Sequence, residues 1–182
     1  MKKFLSLLTG LFLVFVVVGS ASAIQWTWND HFYETVAGNI NWDSANSALG
    51  SSPWHLATIT SQEEQTAMQT AMVNMSGEWW LGGYQNENES NPASGWNWVT
   101  GEVWDYTNWY MYPQEPNDYS TFDEKHLGTW ADYGWDWNDE HGSANISGYI
   151  KEYSPVPEPA TMLLFGLGIL GLAGISRKRL NK

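Results

Sequence analysis

The chain has 182 residues and no cysteine. Disulfide stapling, the usual support of a small exported domain, is therefore excluded. Zinc is disfavoured as well, since there is no thiolate and His31, His55, His126 and His141 show no paired ligand spacing. Basic residues are nearly as scarce. Between Ile24 and Pro155 only Lys125 and Lys151 stand against 19 of the 20 acidic residues, a net charge of −17 with the histidines neutral. Such a surface repels nucleic-acid phosphates and anionic membranes, so no nucleic-acid partner is expected. No apolar run reaches the ~20 residues of a permanent membrane span. The middle of the chain has no internal repeat and no low-complexity block.

What is present begins at the ends. Lys2 and Lys3 precede the almost wholly apolar stretch Phe4 to Val18, and Ala21-Ser22-Ala23 supplies the small residues a signal peptidase needs. Residues 1–23 read as a secretory signal peptide. At the other end Val156-Pro157-Glu158-Pro159 leads into the apolar run Ala160 to Ile175, then Arg177, Lys178 and Arg179. A helix of that run is about 24 Å long, short for a ~30 Å hydrocarbon core. Gly166, Gly168, Gly171 and Gly174 weaken it further as an anchor, and the basic cluster should stay cytoplasmic. The order of box, short transmembrane run and basic end resembles the PEP-CTERM sorting signal. That resemblance implies cleavage near the box by an exosortase, with the membrane held through the tail until then. Residues 156–182 are therefore set apart as a sorting signal. The expected location is the cell envelope or exterior of a Gram-negative-type bacterium.

Residues 24–155 suit one domain with a real core. All 13 Trp fall in this part, which rules out disorder. His31 to Val36 has strand composition. Asn41 can cap a helix from Trp42 to Leu49, with Trp42, Ala45 and Leu49 on one face and Gly50 as its stop. Ser61-Gln62-Glu63-Glu64 is a capping box, and Ala67, Met68, Ala71, Met72 and Met75 follow at helical spacing. Trp79 to Gly83 reads as a buried strand. Trp96 to Val99 alternates, Thr100-Gly101 turns, and Val103-Trp104 resumes. Asp105 to Ser120 is a long loop rich in Pro, Asn, Asp and aromatics. Trp135 to Trp137 and Ile146 to Tyr153 are candidate strands. Helices first and strands later give an α+β fold.

The loop carries the chemistry. Glu115-Pro116-Asn117 sets a carboxylate and an amide on either side of a proline, and a cis bond there would aim both at one point. Asp123 and Glu124 follow, and Trp137-Asn138-Asp139 repeats the pairing. Ca²⁺ takes six to eight oxygen ligands of these kinds. An amide offers the metal an oxygen and a ligand an N–H donor at once.

Trp80-Leu81-Gly82-Gly83, Trp96 to Glu102, Tyr106-Thr107-Asn108-Trp109, Glu115-Pro116-Asn117 and Trp137-Asn138-Asp139, in that order, resemble the C-type lectin domain over roughly residues 31–153. The resemblance implies two helices, small antiparallel sheets and a long Ca²⁺-binding loop region. It implies Ca²⁺ ligands at Glu115, Asn117, Glu124, Asn138 and Asp139, with Asp123 an adjacent alternative to Glu124. Glu115, Asn117, Asn138 and Asp139 would also hold the sugar. The Glu-Pro-Asn order resembles the version that takes mannose-type sugars, here an exopolysaccharide or surface glycan, and the Gln-Pro-Asp order is the galactose type. The resemblance also implies disulfides, but Lys151 and Gly142 stand where cysteines would be. An auxiliary Ca²⁺ site at Asp118, Glu87 or Glu89 is left open. Tyr119, Tyr133, Trp135 and His141 are candidates for stacking on a sugar. The other readings are a two-carboxylate glycosidase, which the Asn residues do not suit, and a structural or protein-binding module of the same fold.

Overall fold

The computed structural model describes residues 23–50, 52–119 and 123–155. The signal peptide, apart from Ala23, and the sorting signal with its transmembrane run lie outside them. Among the described residues no helix is long and apolar enough to cross a membrane.

A hairpin opens the domain. β1 (Gln25–Trp28) and β2 (His31–Ile40) are joined by Asn29 and Asp30 at positive φ, 47° and 67°. Asn and Asp tolerate that conformation, which matches a two-residue turn to the strand twist. β1 has no counterpart in the sequence pattern. α1 (Trp42–Leu49) forms as predicted: the Asn41 side chain accepts the Ser44 N–H at 2.8 Å, Gly50 ends the helix, and Trp42, Ala45 and Leu49 are buried.

β3 (Trp54–Leu56) leads to α2 (Gln62–Ala71), capped by Ser61. The capping box is half formed. Ser61 accepts the Glu64 N–H, but the Glu64 carboxylate returns one residue further, to the Thr60 N–H at 2.8 Å. The buried stripe of α2 and the turn after it holds Glu64, Gln65, Met68 and Met72. Gln65 sits there because both ends of its amide are used. It donates to the Trp135 carbonyl at 2.8 Å and accepts from the Trp137 indole at 3.0 Å.

The remaining strands are β4 (Glu78–Gln85), β5 (Trp96–Trp98), β6 (His126–Trp130), β7 (Trp137–Glu140) and β8 (Ile146–Tyr153). They pair in the order β1-β2-β8-β4-β6-β7, with β3 on β8 and β5 on β4. The small antiparallel ladders join through one parallel contact, β4 with β8 at Trp79↔Gly148 and Trp80↔Tyr149. Gly148 makes that join possible. A Cβ there would lie 2.3 Å from the Val36 carbonyl and 2.7 Å from the Trp79 ring.

Two sequence expectations shift. Only Trp137 of the Trp135–Trp137 segment is strand. A 3-10 turn (Ala131–Tyr133) and then Gly134 and Trp135, both at positive φ, carry the chain around a corner first. Val103 and Trp104 lie in extended loop, because the Trp104 ring packs inward on Trp96, Trp98 and Trp137.

Tryptophan builds the core. Trp80, Trp98 and Trp137 are fully buried, and most core indoles keep a partner for their N–H. Trp42 donates to the Leu81 carbonyl and Trp80 to the Ile40 carbonyl, both at 2.9 Å.

Candidate functional site

The loop from Gly101 to Tyr119 has almost no regular structure, yet it is fixed. Trp137, the first residue of β7, sits edge-on to Trp98, Trp109 and Tyr106, each at 5.7 Å between centroids. Backbone bonds follow the rings: Tyr110 N–H to the Trp137 carbonyl at 3.0 Å, and Trp137 N–H to the Asn108 carbonyl at 2.8 Å. The loop is thereby laid along β7, so Glu115 and Asn117 meet the next two residues of that strand, Asn138 and Asp139.

The Glu115–Pro116 bond is cis, as is Tyr112–Pro113. The Asn117 amide donates to Glu115. Asp139, fully buried, accepts the Asn117 N–H at 2.9 and 3.0 Å and the Asp118 N–H at 3.0 Å. Glu124 accepts the Tyr119 N–H at 2.6 Å. Glu115, Asn117, Glu124, Asn138 and Asp139 thus line one pocket of about 350 Å³ with Tyr119, Trp130, Tyr133 and Glu140. Asp123 turns out of it to pair with Lys125 at 2.6 Å and is 63% exposed.

Among the described residues no basic side chain lines this pocket. Burial, the Asp139 charge and a shared hydrogen bond with it push Glu115 up to about 8. Burial pushes Glu124 up to about 7, against a hydrogen bond from the Tyr119 backbone, with Asp139 and Glu140 adding to the rise. Asp139 and Glu140 are raised too, mainly by burial. Carboxylates held this far above their ordinary range need either protons or a cation. The Asn117 Oδ1 is buried and has no hydrogen-bond donor among the described residues. A neutral oxygen aligned with buried carboxylates and lacking a partner fits a hard cation such as Ca²⁺.

Two acidic residues of this site escaped the sequence reading. Glu78, at the start of β4, accepts the Asn138 amide N–H at 2.9 Å and is pushed up to about 7, chiefly by burial. Its signal was a charged residue directly before the buried Trp79-Trp80 pair. Glu140 simply continues β7. The candidate stacking residues divide: Tyr119 and Tyr133 line the pocket, whereas the Trp135 side chain is buried in the core and its carbonyl accepts from Gln65 and Thr129.

The auxiliary candidates do not come together. Asp118 accepts the Glu124 N–H, the Glu87 carbonyl accepts from Lys125, and Glu89 caps the turn at Ser90 and Asn91. Among the described residues, the group of acidic or histidine side chains whose ligand atoms lie within 4.8 Å of one another is instead His31, Glu64 and Glu152. Its acceptors already have donors. Tyr33 donates to Glu64, and Glu152 takes the Thr58 N–H at 2.9 Å and the Ser154 hydroxyl at 2.8 Å and lies 2.6 Å from His31. It ties β2, α2 and β8 together.

Solved structures with this fold are numerous. The carbohydrate-recognition domain of cow CD23, studied with a GlcNAc2Man3 oligosaccharide, superposes with a TM-score of 0.61 at 22% identity, over 76% of this chain and 98% of that one. The domain has the C-type-lectin-like fold. The mouse scavenger receptor C-type lectin domain gives 0.59 at 26% identity, over 74% and 98%. A calcium-independent type II antifreeze protein gives 0.59 at 23% identity, over 75% and 96%. Residues 155–179 match the PEP-CTERM protein-sorting motif, which marks the chain for the cell envelope and for exosortase processing. No curated protein matches the chain by sequence.

Where the resemblance would place cysteines, this C-type-lectin-like domain has other contacts. Lys151 reaches Glu34 at 3.2 Å and lies 4.5 Å from the centroid of the Trp54 ring. Gly142 leaves room for the His126 ring, which also packs on Trp42 at 4.5 Å.

Proposed function

We propose that the pocket holds Ca²⁺ on Glu115, Asn117, Glu124, Asn138 and Asp139 and binds a carbohydrate through it, on a protein exported to the cell envelope or beyond. The unpartnered, buried Asn117 Oδ1 beside carboxylates raised by burial carries this reading. The ion would supply a centre on which two vicinal hydroxyls can sit. The chain supplies the rest: carboxylates accept hydroxyl protons, and the second N–H of each Asn amide donates. The Glu115-Asn117 order favours mannose-type sugars with vicinal equatorial hydroxyls, in an exopolysaccharide or surface glycan. Exchanging carboxylate and amide exchanges acceptor for donor, and a buried mismatch of ~1–3 kcal/mol changes affinity about tenfold or more. Residues 1–23 are removed on export, and the tail is cut near Val156-Pro157-Glu158-Pro159.

The test is a glycan array with Ca²⁺ and with EDTA. Mannose-type ligands should bind only with Ca²⁺, and Glu115→Gln with Asn117→Asp should move preference toward galactose. A wild-type preference for galactose would overturn the sugar assignment. The calcium-independent antifreeze neighbour favours a second reading, a structural module without sugar. Ca²⁺-dependent stability with no glycan bound at any concentration selects it.

A further inference from the structure

The domain carries an aromatic row that its own fold covers only in part, with Phe32 exposed and Trp54 and Tyr153 half-buried. The register sets Thr27, Phe32, Tyr153 and Trp54 side by side across β1, β2, β8 and β3. Residues paired across a ladder share a face of the sheet. The Phe32 and Tyr153 rings are 6.1 Å apart and Tyr153 and Trp54 5.8 Å. α1 covers this face further along, where Trp42, Ala45 and Leu49 meet Leu56 and Tyr149. It has only eight residues, about 12 Å of helix. Beyond it lies a groove of about 660 Å³ with Trp26, Phe32, Trp54 and Tyr153 in its lining, and Phe32 is 46% exposed.

The position of the chain end singles out one occupant. β8 ends at Tyr153, within the row itself. The apolar run begins at Ala160, seven residues after Tyr153, a reach of at most about 25 Å. Wherever that run enters a bilayer, the aromatic row stays within about 25 Å of the headgroups. Trp and Tyr favour that zone, with an apolar body and a polar tip. The local charge is balanced as well, since Glu34 and Lys151 pair at 3.2 Å. The rest of the domain is acidic, which excludes an anionic surface.

We propose that Phe32, Tyr153 and Trp54 form a membrane-interface surface that rests on the zwitterionic headgroup layer of a bilayer while the tail is uncut. β1 and β7 are opposite ends of the strand path, and no residue of the row lines the pocket on β7. The inference rests on the reading of residues 160–175 as a membrane run.

The absence of cysteine gives a direct test. In the full chain, Thr27→Cys and, separately, Tyr119→Cys each carry a single polarity-sensitive dye, and both are mixed with phosphatidylcholine vesicles. The dye at position 27 should shift to the blue and be quenched by bromine on the lipid chains. The dye beside the metal pocket should do neither. Phe32→Ser with Trp54→Ser should lose most of the shift while the protein still floats with the vesicles through its tail. Phe32→Ser alone, at a half-exposed position, gives the same direction if the double variant does not fold. Flotation with a water-like dye at position 27 overturns the docking surface but leaves the tail reading intact; no flotation overturns both. A blue shift without lipid that grows with protein concentration, or one produced by glycan alone, assigns the row to a second copy or to sugar and overturns the proposal.

Discussion

Removing Ca²⁺ should make the stability of the domain fall as pH rises, and restoring Ca²⁺ should cancel the fall. Three buried carboxyls set the expectation: Glu115 is pushed up to about 8, and Glu78 and Glu124 to about 7, from an ordinary value of 4.5. In the folded, metal-free domain they keep protons that the unfolded chain releases near 4.5. Their penalty is therefore absent below pH ~4.5 and grows as pH climbs to about 8. His126 is lowered, by burial first, so its cost falls below its ordinary 6.5. The window from pH 6.5 to 8.5 isolates the carboxyls. One extra proton held by the folded state is worth ~1.4 kcal/mol per pH unit. The pocket opens to solvent, whose screening reduces this to roughly half. Between pH 6.5 and 8.5 the metal-free domain should lose ~1 kcal/mol through Glu115 and about half that through each of Glu78 and Glu124, whose protons leave near 7, and 1 kcal/mol moves the melting point of a domain this size by ~3–5 °C. Ca²⁺ at 100 times its Kd adds ~2.7 kcal/mol, and more of its ligands are ready as pH rises. Melting in Ca²⁺ and in EDTA should separate by ~10 °C at pH 8.5 and by less at pH 6.5. Coincident curves at pH 8.5, or a metal-free domain that gains stability from pH 6.5 to 8.5, would refute the reasoning.

Other substitutions test the separate parts. Asp139→Asn should lose Ca²⁺ binding, read by calorimetry, yet keep the fold, since one amide oxygen can still accept from the Asn117 and Asp118 backbone; Asp139→Ala strands those donors and should cost ~1–3 kcal/mol besides. Glu78→Leu releases the Asn138 amide and should weaken Ca²⁺ ~10–100-fold, while the metal-free melting point at pH 8 holds or rises because a buried carboxylate has gone. Gly142→Ala puts a Cβ 2.3 Å from the His126 Nδ1 and should destabilise by ~1–3 kcal/mol in a melt. Intact mass of protein from membrane and medium should lack residues 1–23 and the tail beyond the Val156-Pro157-Glu158-Pro159 box; recovery only as full-length cytoplasmic protein counts against export.

Local signals explain what could be read from the sequence. α1 was legible to the residue because its cap, buried face and stop all lie within ten positions, and β8 because Ile146 to Tyr153 is an unbroken strand pattern. β1 and β6 were not. Gln25 to Trp28 becomes a strand only by pairing with β2, and His126 to Trp130 only between β4 and β7. Gln25 to Trp28 alternates, but over only four residues, and His126 to Trp130 has no clear alternation of its own. At the site, the five oxygen-bearing residues stood out as short motifs in a fixed order. Glu78 did not, because its role depends on β4 and β7 flanking β6, which brings residue 78 to residue 138 across sixty positions. The His31–Glu152 pair was hidden for the same reason, since it closes the two ends of the domain on each other.

The absence of disulfides bears on the pocket as well as on total stability. The two positions compared with cysteines hold an ion pair against Trp54 and a histidine wedged on Gly142, contacts that pack the scaffold but do not reach the loop. The loop is held by rings. Trp109 and Tyr106 meet Trp137, and Trp104 stacks on Trp96 and contacts Trp98. Trp137 therefore joins the core to the two halves of the pocket, since the next two residues, Asn138 and Asp139, are the proposed ligands. Trp137→Leu should cost several kcal/mol by the lost volume alone. It also deprives the Gln65 amide oxygen of its indole donor. Ca²⁺ at saturating concentration can recover only the part of that loss that lies in the loop, because it binds the folded pocket and leaves the cavity beneath it. Melting of Trp137→Leu should therefore stay well below wild type in Ca²⁺, with a Ca²⁺-dependent gain no smaller than that of the wild type if the pocket still forms. A variant that Ca²⁺ restores fully would show that the metal, and not the indole cluster, positions the loop.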